Sequence, residues 1–262
     1  MTTAVSPTTT STCRRSCATE RPEGPARDIP GQTRDHHPRG GVSKPPFATF
    51  NLGDHVGDAP AAVAANRRRL AATLGLGDRI VWMNQVHSAD VAVVDRAGET
   101  VEATDGLVTT TPGLGLAVVT ADCVPVLMAD ARAGVVAAVH AGRVGAAAGI
   151  VARALHTMTR LGAHVEDVSV LLGPAVSGRN YEVPEQMAAE VERALPGSRT
   201  TTHRGTPGLD LRAGIAAQLR ALGVRSVDVD PRCTVEDAKL FSHRRDAPTG
   251  RMASVIWLEP AP

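Results

Sequence analysis

Aromatic side chains are scarce, at 2% of the 262 residues. A stacking platform for single-stranded nucleic acid needs several of them in one groove, so that class is unsupported. The formal net charge of +1 removes the case for a general nucleic-acid or membrane-surface binder. No apolar run approaches the ~20 residues of a membrane-spanning helix. The first residues carry Thr, Ser and Arg but no apolar core of a secretory signal. The four cysteines, Cys13, Cys17, Cys123 and Cys233, do not form a disulfide framework, which points to a reducing, cytoplasmic setting. Cys13 and Cys17 are half of a metal motif with no second pair. No Gly-x-Gly-x-x-Gly follows a strand, so a dinucleotide site is unsupported. The Pro-Cys-x-x-Cys element of the cytidine-type zinc deaminases is missing. No His-x-His pair suggests a multicopper cluster, and there are only nine histidines.

Hydrophobic residues make up 43%, mostly Ala, Val and Leu, enough for a core built of small side chains. Residues 1–38 are rich in Pro, Thr, Ser, Arg and Gly and read as a disordered extension. Residues 39–262 read as one domain. Helices are expected over 61–76, 146–161, 185–195 and 211–222. In the second, Ile150, Val151, Ala154, Leu155, Met158 and Leu161 form one stripe. Asp210 stands where a helix N-cap belongs. Strands are expected over 80–86, 91–94, 116–120, 124–128, 135–139, 168–172, 227–229 and 254–258. The middle third runs strand after strand without helices, which favours antiparallel pairing in an α+β fold.

Three residues of metal-ligand type close apolar runs: His87 after Ile80–Val86, Cys123 after Leu116–Asp122, and His140 after Val135–Val139. Two imidazoles and a thiolate are a three-ligand zinc set with a fourth position free, the catalytic rather than the structural pattern. Each also has a plain reading: a lone Cys is commonly a small core residue, and a lone His a satisfied polar one. Asp105 and Asp122 are candidates to orient the imidazoles. Asp105, in Thr-Asp-Gly, is equally a turn residue.

The runs Asn84-Gln85-Val86-His87, Thr104-Asp105-Gly106-Leu107-Val108-Thr109, Thr120-Ala121-Asp122-Cys123-Val124-Pro125 and Val139-His140-Ala141-Gly142 occur in this order. Leu172-Gly173-Pro174-Ala175, Tyr181-Glu182-Val183, Cys233-Thr234, Phe241–Asp246 and Thr249-Gly250-Arg251-Met252-Ala253 follow. The series resembles the laccase-domain, YfiH-like family, also called polyphenol oxidase or peptidoglycan editing factor proteins. The resemblance implies a four-layer α-β-β-α sandwich shared with cytotoxic necrotizing factor toxins, and makes His87, Cys123 and His140 the metal-binding and catalytic set. It implies zinc-dependent phosphorolysis of adenosine, inosine, guanosine and methylthioadenosine, with adenosine deamination as a side activity. A purine nucleoside and phosphate are then the partners, with no nucleic acid or membrane, and a monomer is the default expectation. A zinc ion there would bring the pKa of a bound water to about 7.

Arg244, Arg245 and Arg251 lie in the resembling stretch and are candidates to clamp phosphate bidentately. Asn51, Asn84 and Gln85 are candidates for base or ribose contacts. The alternatives are copper-dependent polyphenol oxidation with Cu²⁺ at a His₂Cys site, editing of peptidoglycan precursors, and a metal-free Cys123–His140 hydrolase. The sequence departs from the family in three places. Arg143-Val144 replaces a Trp-Arg pair. Asn180 stands where many relatives have Cys before Tyr-Glu-Val. The stretch Gly31–Pro38 is too polar for the usual first strand.

Overall fold

The computed structural model describes the backbone of residues 13–17, and residues 40–98 and 100–259 in full. Three layers of core side chains separate four layers of backbone. The first β-sheet has the order β1-β12-β5-β2, from β1 (Cys13–Cys17), β12 (Met252–Leu258), β5 (Gly115–Thr120) and β2 (Ile80–Val81). The second has the order β11-β8-β6-β7-β4-β3. Its strands are β3 (Val91–Val93), β4 (Gly106–Thr109), β6 (Val124–Asp130), β7 (Val135–Ala141), β8 (Ser169–Leu172) and β11 (Ser226–Val229). A small ribbon joins β9 (Arg199–Thr201) to β10 (Pro207–Leu209).

Strand alternation builds the layers. In β7, Val135, Ala137, Val139 and Ala141 face one core, while Val136 and Ala138 face another. In β12, Ile256 and Leu258 join Val136 and Ala138 between the sheets, and Ala253, Val255 and Trp257 face outward. That outer face is covered by α1 (Pro60–Leu74) through Leu70 and Ala71. The far face of the second sheet is covered by α2 (Arg143–Ala147), α3 (Ile150–Arg160), α4 (Glu185–Ala194) and α5 (Leu211–Ala221). The expected four-layer α-β-β-α sandwich is therefore the fold. The central strands β4, β5, β6, β7 and β12 are buried on both faces, which is why they read as continuous apolar runs, while β3 and β11 at the edges are half-buried or exposed.

The expected helix over 146–161 is two helices. Gly149 takes φ +83° between them, a conformation that L side chains rarely adopt. The α3 stripe is buried as expected at Ile150, Val151, Ala154, Leu155 and Met158. Each larger member contributes about 1.5–3 kcal/mol. Asp210 caps α5 by accepting from the Ala213 N–H. β6 and β7 pair antiparallel, as do β5 and β12.

Two expectations are corrected. The run 80–86 holds only two residues of ladder, β2, and continues as a loop. Within the stretch expected to be disordered, Cys13–Cys17 pairs antiparallel with β12, from Cys13 opposite Leu258 to Cys17 opposite Ser254. An edge strand needs backbone donors and acceptors but no apolar periodicity, so its composition concealed it. The remainder of 1–38, including Gly31–Pro38, lies outside the described residues apart from β1.

Candidate metal centre and its surroundings

Asp105 organises the site. It is fully buried, one residue before β4. Its Oδ1 accepts from the His87 N–H at 3.0 Å, and its Oδ2 accepts from Val86 N–H at 3.1 Å and Ser88 N–H at 2.7 Å. Three consecutive backbone donors thus wrap one carboxylate, and His87 adopts φ +62° to allow it. The same Oδ1 accepts from His140 Nδ1 at 2.7 Å. An ionised carboxylate only accepts, so Nδ1 carries a proton and Nε2 is the nitrogen left for the site. Burial acts to raise the Asp105 pKa, but the hydrogen bonds from His140 and Ser88 prevail and hold it below the ordinary value. The carboxylate is thus the orienting group that the sequence suggested, rather than a turn residue alone.

His140 lies in β7 on the Val136/Ala138 side, so its ring enters at the end of the intersheet layer. His87 is exposed, Cys123 half-buried and His140 buried. Their donor atoms all lie within 4.8 Å of one another, with Cys123 Sγ 3.9 Å from His87 Nε2. The two imidazole rings meet edge to face with centroids 4.7 Å apart. Burial acts to raise the Cys123 pKa, yet hydrogen bonds from His140 and His87 bring it down to about 6. Burial acts to lower His140, yet its bonds to Asp105 and Cys123 bring it up to about 9. Without a metal, the pair favours thiolate and imidazolium.

The chain passes beneath these donors at Gly142. A Cβ there would stand 2.7 Å from His87 Cδ2 and 3.1 Å from Cys123 Sγ, so only glycine leaves the donors where they are. Convergent donors, a thiol already inclined to ionise, a carboxylate behind one imidazole and a floor of bare backbone fit a bound metal ion. Among the described residues this is the one group of three or more such ligands close enough to hold an ion.

Asp122, at φ +92°, gives its carboxylate to the C-terminal segment. It accepts from Thr234 Oγ at 2.5 Å, Ser242 Oγ at 2.7 Å and Arg244 N–H at 2.7 Å. It therefore fastens the C-terminal loop and α6 (His243–Asp246) beside the site and does not orient an imidazole.

The expected substrate contacts divide. Asn51 is fully buried and donates to Gly53 O and Asp58, while its Oδ1 accepts from the Gly53 and Arg251 N–H groups. Gln85 pairs its amide with both the N–H and the C=O of Val119, standing in for a strand. Asn84 donates to Glu102 at 2.7 Å. Arg245 donates to the carbonyls of Thr234, Val235, Asp237 and Leu240 and to Asp246. It is a bracket for its loop. Arg251 donates to Thr249 O and Gly250 O, and the negative charges of Cys123 and Asp122 support its cation against burial. Arg244 places its guanidinium 5.0 Å from the Tyr181 ring. Tyr181 was not among the expected site residues, although it stood in a resembling run. Asn180 donates to Cys233 Sγ, Ser177 Oγ and Glu236, a structural contact away from the donor set.

The sequence profile of the family described as multi-copper polyphenol oxidoreductase laccase matches residues 36–259. The chain belongs to this family. A purine nucleoside phosphorylase of Mycobacterium tuberculosis is 74% identical over 222 residues, covering 84% of this chain and 89% of the relative. A purine nucleoside phosphorylase of Corynebacterium glutamicum is 59% identical over 223 residues, covering 84% and 91%. Among solved structures, YlmD from Geobacillus stearothermophilus superposes with a TM-score of 0.81 at 37% identity, covering 86% of this chain and 90% of that one. β1 lies before the family match.

Proposed function

We propose that this chain is a zinc-dependent purine nucleoside phosphorylase with adenosine deamination as a side activity. The observation that carries the reading is the open three-donor group of His87, Cys123 and His140, in a chain 74% identical to a named purine nucleoside phosphorylase. His87, Cys123 and His140 would hold the ion. When bound, it would supply a Lewis acid able to polarise an oxygen or nitrogen of a substrate. Asp105 holds the proton on His140 Nδ1 and fixes the turn that carries His87. Asp122 holds the backbone of Arg244 close to the donors, and Arg251 adds a cation sensed by Cys123. Asn51, Gln85 and Arg245 serve the reaction by keeping this frame rigid. Zinc is favoured over copper because the described residues hold one compact site and a multicopper oxidase needs several. With no helix among the described residues able to cross a membrane and no cysteine framework, a cytoplasmic setting fits.

The test is direct. Zinc-replete protein with inosine and phosphate should give hypoxanthine and ribose 1-phosphate, and adenosine with water should give inosine and ammonia. Cys123→Ala should abolish both. No release of base or ammonia from any purine nucleoside would remove this reading and promote a cell-wall precursor as substrate. A second reading rests on the Asp105–His140–Cys123 chain, which has the order of a cysteine hydrolase. Activity that survives metal chelation and is lost on thiol alkylation would favour it.

A further inference from the structure

Tyr181 is the single tyrosine of the chain. It is half-buried on the loop before α4, and two guanidinium groups from distant parts of the sequence converge on it. Arg143, the first residue of α2, directly follows Gly142 beneath the metal donors, and its charge acts on the phenol. Arg244, in α6, lies over the ring at 5.0 Å. A Cβ on Gly142, the neighbour of Arg143, would stand 3.1 Å from Cys123 Sγ, and Arg244 donates its N–H to Asp122, the neighbour of Cys123, so both arginines start beside the metal donors. Among the described residues neither guanidinium has a carboxylate within ion-pair distance. Arg245, by contrast, is paired with Asp246 and spent on carbonyls.

Two cations gathered on one neutral ring repel each other unless an anion joins them. Arginine presents a planar fork that matches a tetrahedral oxyanion through two parallel bonds.

We infer that Arg143 and Arg244, spaced by Tyr181, form a clamp for inorganic phosphate, the second substrate of the phosphorolysis proposed above, on which this assignment rests. Arg143 and Arg244 bind the phosphate oxygens, and Tyr181 is the positioning residue that holds the two forks apart.

Calorimetric titration of inorganic phosphate into the full, zinc-loaded protein tests this. Arg143→Ala and Arg244→Ala should each raise the phosphate Kd about tenfold or more, the loss expected for a charge-assisted hydrogen bond. In turnover, the phosphate KM should rise in parallel, with a far smaller change in the inosine KM. Arg143→Lys should recover part of the affinity, because it restores charge without the fork. Should the alanine variants melt too low, phenylglyoxal labelling of the wild-type protein reads the same contact: phosphate should protect Arg143 and Arg244. A phosphate Kd within twofold of wild type in both alanine variants, or no protection by phosphate, overturns the clamp. Arginine-dependent phosphate binding without nucleoside turnover keeps the clamp and removes the phosphorylase reading. Phosphorolysis with an unaltered phosphate KM in both variants does the reverse.

Discussion

Asp105 sets both histidines with one carboxylate, through the 86–88 turn on one side and His140 Nδ1 on the other. Asp105→Asn keeps the volume but removes the charge and places an N–H₂ group against backbone N–H donors. Metal affinity should fall about 10- to 100-fold, the usual effect of losing a group that orients a ligand. A competing chelator measures this, and unchanged affinity would show that the carboxylate does not govern the site. Protons compete with the metal at the same residues. In the metal-free protein His140 is raised to about 9 and Cys123 is lowered to about 6. Between those values the thiol has already lost its proton and the imidazole still carries one. Binding an ion must then expel about one proton. Affinity should therefore climb with pH through this window and level off above about 9. Titrations in buffers of different ionisation enthalpy count the released protons, and a flat profile from 6 to 9 would contradict the imidazolium.

Elements were legible where periodicity carried them. The α3 stripe, the Asp210 cap and the long strands β6, β7 and β12 follow from apolar spacing and cap chemistry alone. Three of the misreadings have physical reasons. β4 is a four-residue strand buried throughout and too short for a period. The run 80–86 looks like a strand, but its partner groups on β5 are taken by the Gln85 amide, which pairs with Val119 at 2.8 Å in both directions. Gln85→Ala would leave a partly buried N–H and C=O of β5 without that partner, at a cost of about 1–3 kcal/mol. A lowered melting temperature is the expected result, and an unchanged one would mean water replaces the amide. The edge strand β1 has no apolar signature, yet it pairs with β12 over five residues. A chain truncated to begin at Gly31 lacks it and bares an edge of β12. Its melting temperature should fall by several degrees, with aggregation more pronounced than in the full chain. An identical melting curve would show that the strand adds nothing to stability.

At the scale of the whole molecule the site is assembled from segments that the sequence keeps far apart. The three metal-type residues stood at the ends of apolar runs and were joined into one set by the family resemblance, but the groups around them could not be read. Residues 84–88, 105, 122–123, 140–143, 181 and 234–251 meet only once the two sheets stack. No local pattern reveals that Arg245 faces carbonyls while Arg244 faces Tyr181. Asp122 is the tie across this gap, bonded to Thr234, Ser242 and Arg244 up to 122 positions away. Its φ of +92° suits glycine, so Asp122→Gly removes the three hydrogen bonds without adding backbone strain. Cys123, His87 and His140 are held by other contacts, and zinc content should stay near that of the wild type. The C-terminal loop should loosen, carrying Arg244 away from Tyr181, so the phosphate KM should rise while metal is retained. Faster amide exchange over 234–246, with the β6 and β7 amides unchanged, is the accompanying signature. Loss of zinc together with phosphate affinity would instead show that Asp122 supports the donors themselves, and that the loop and the metal centre are one unit.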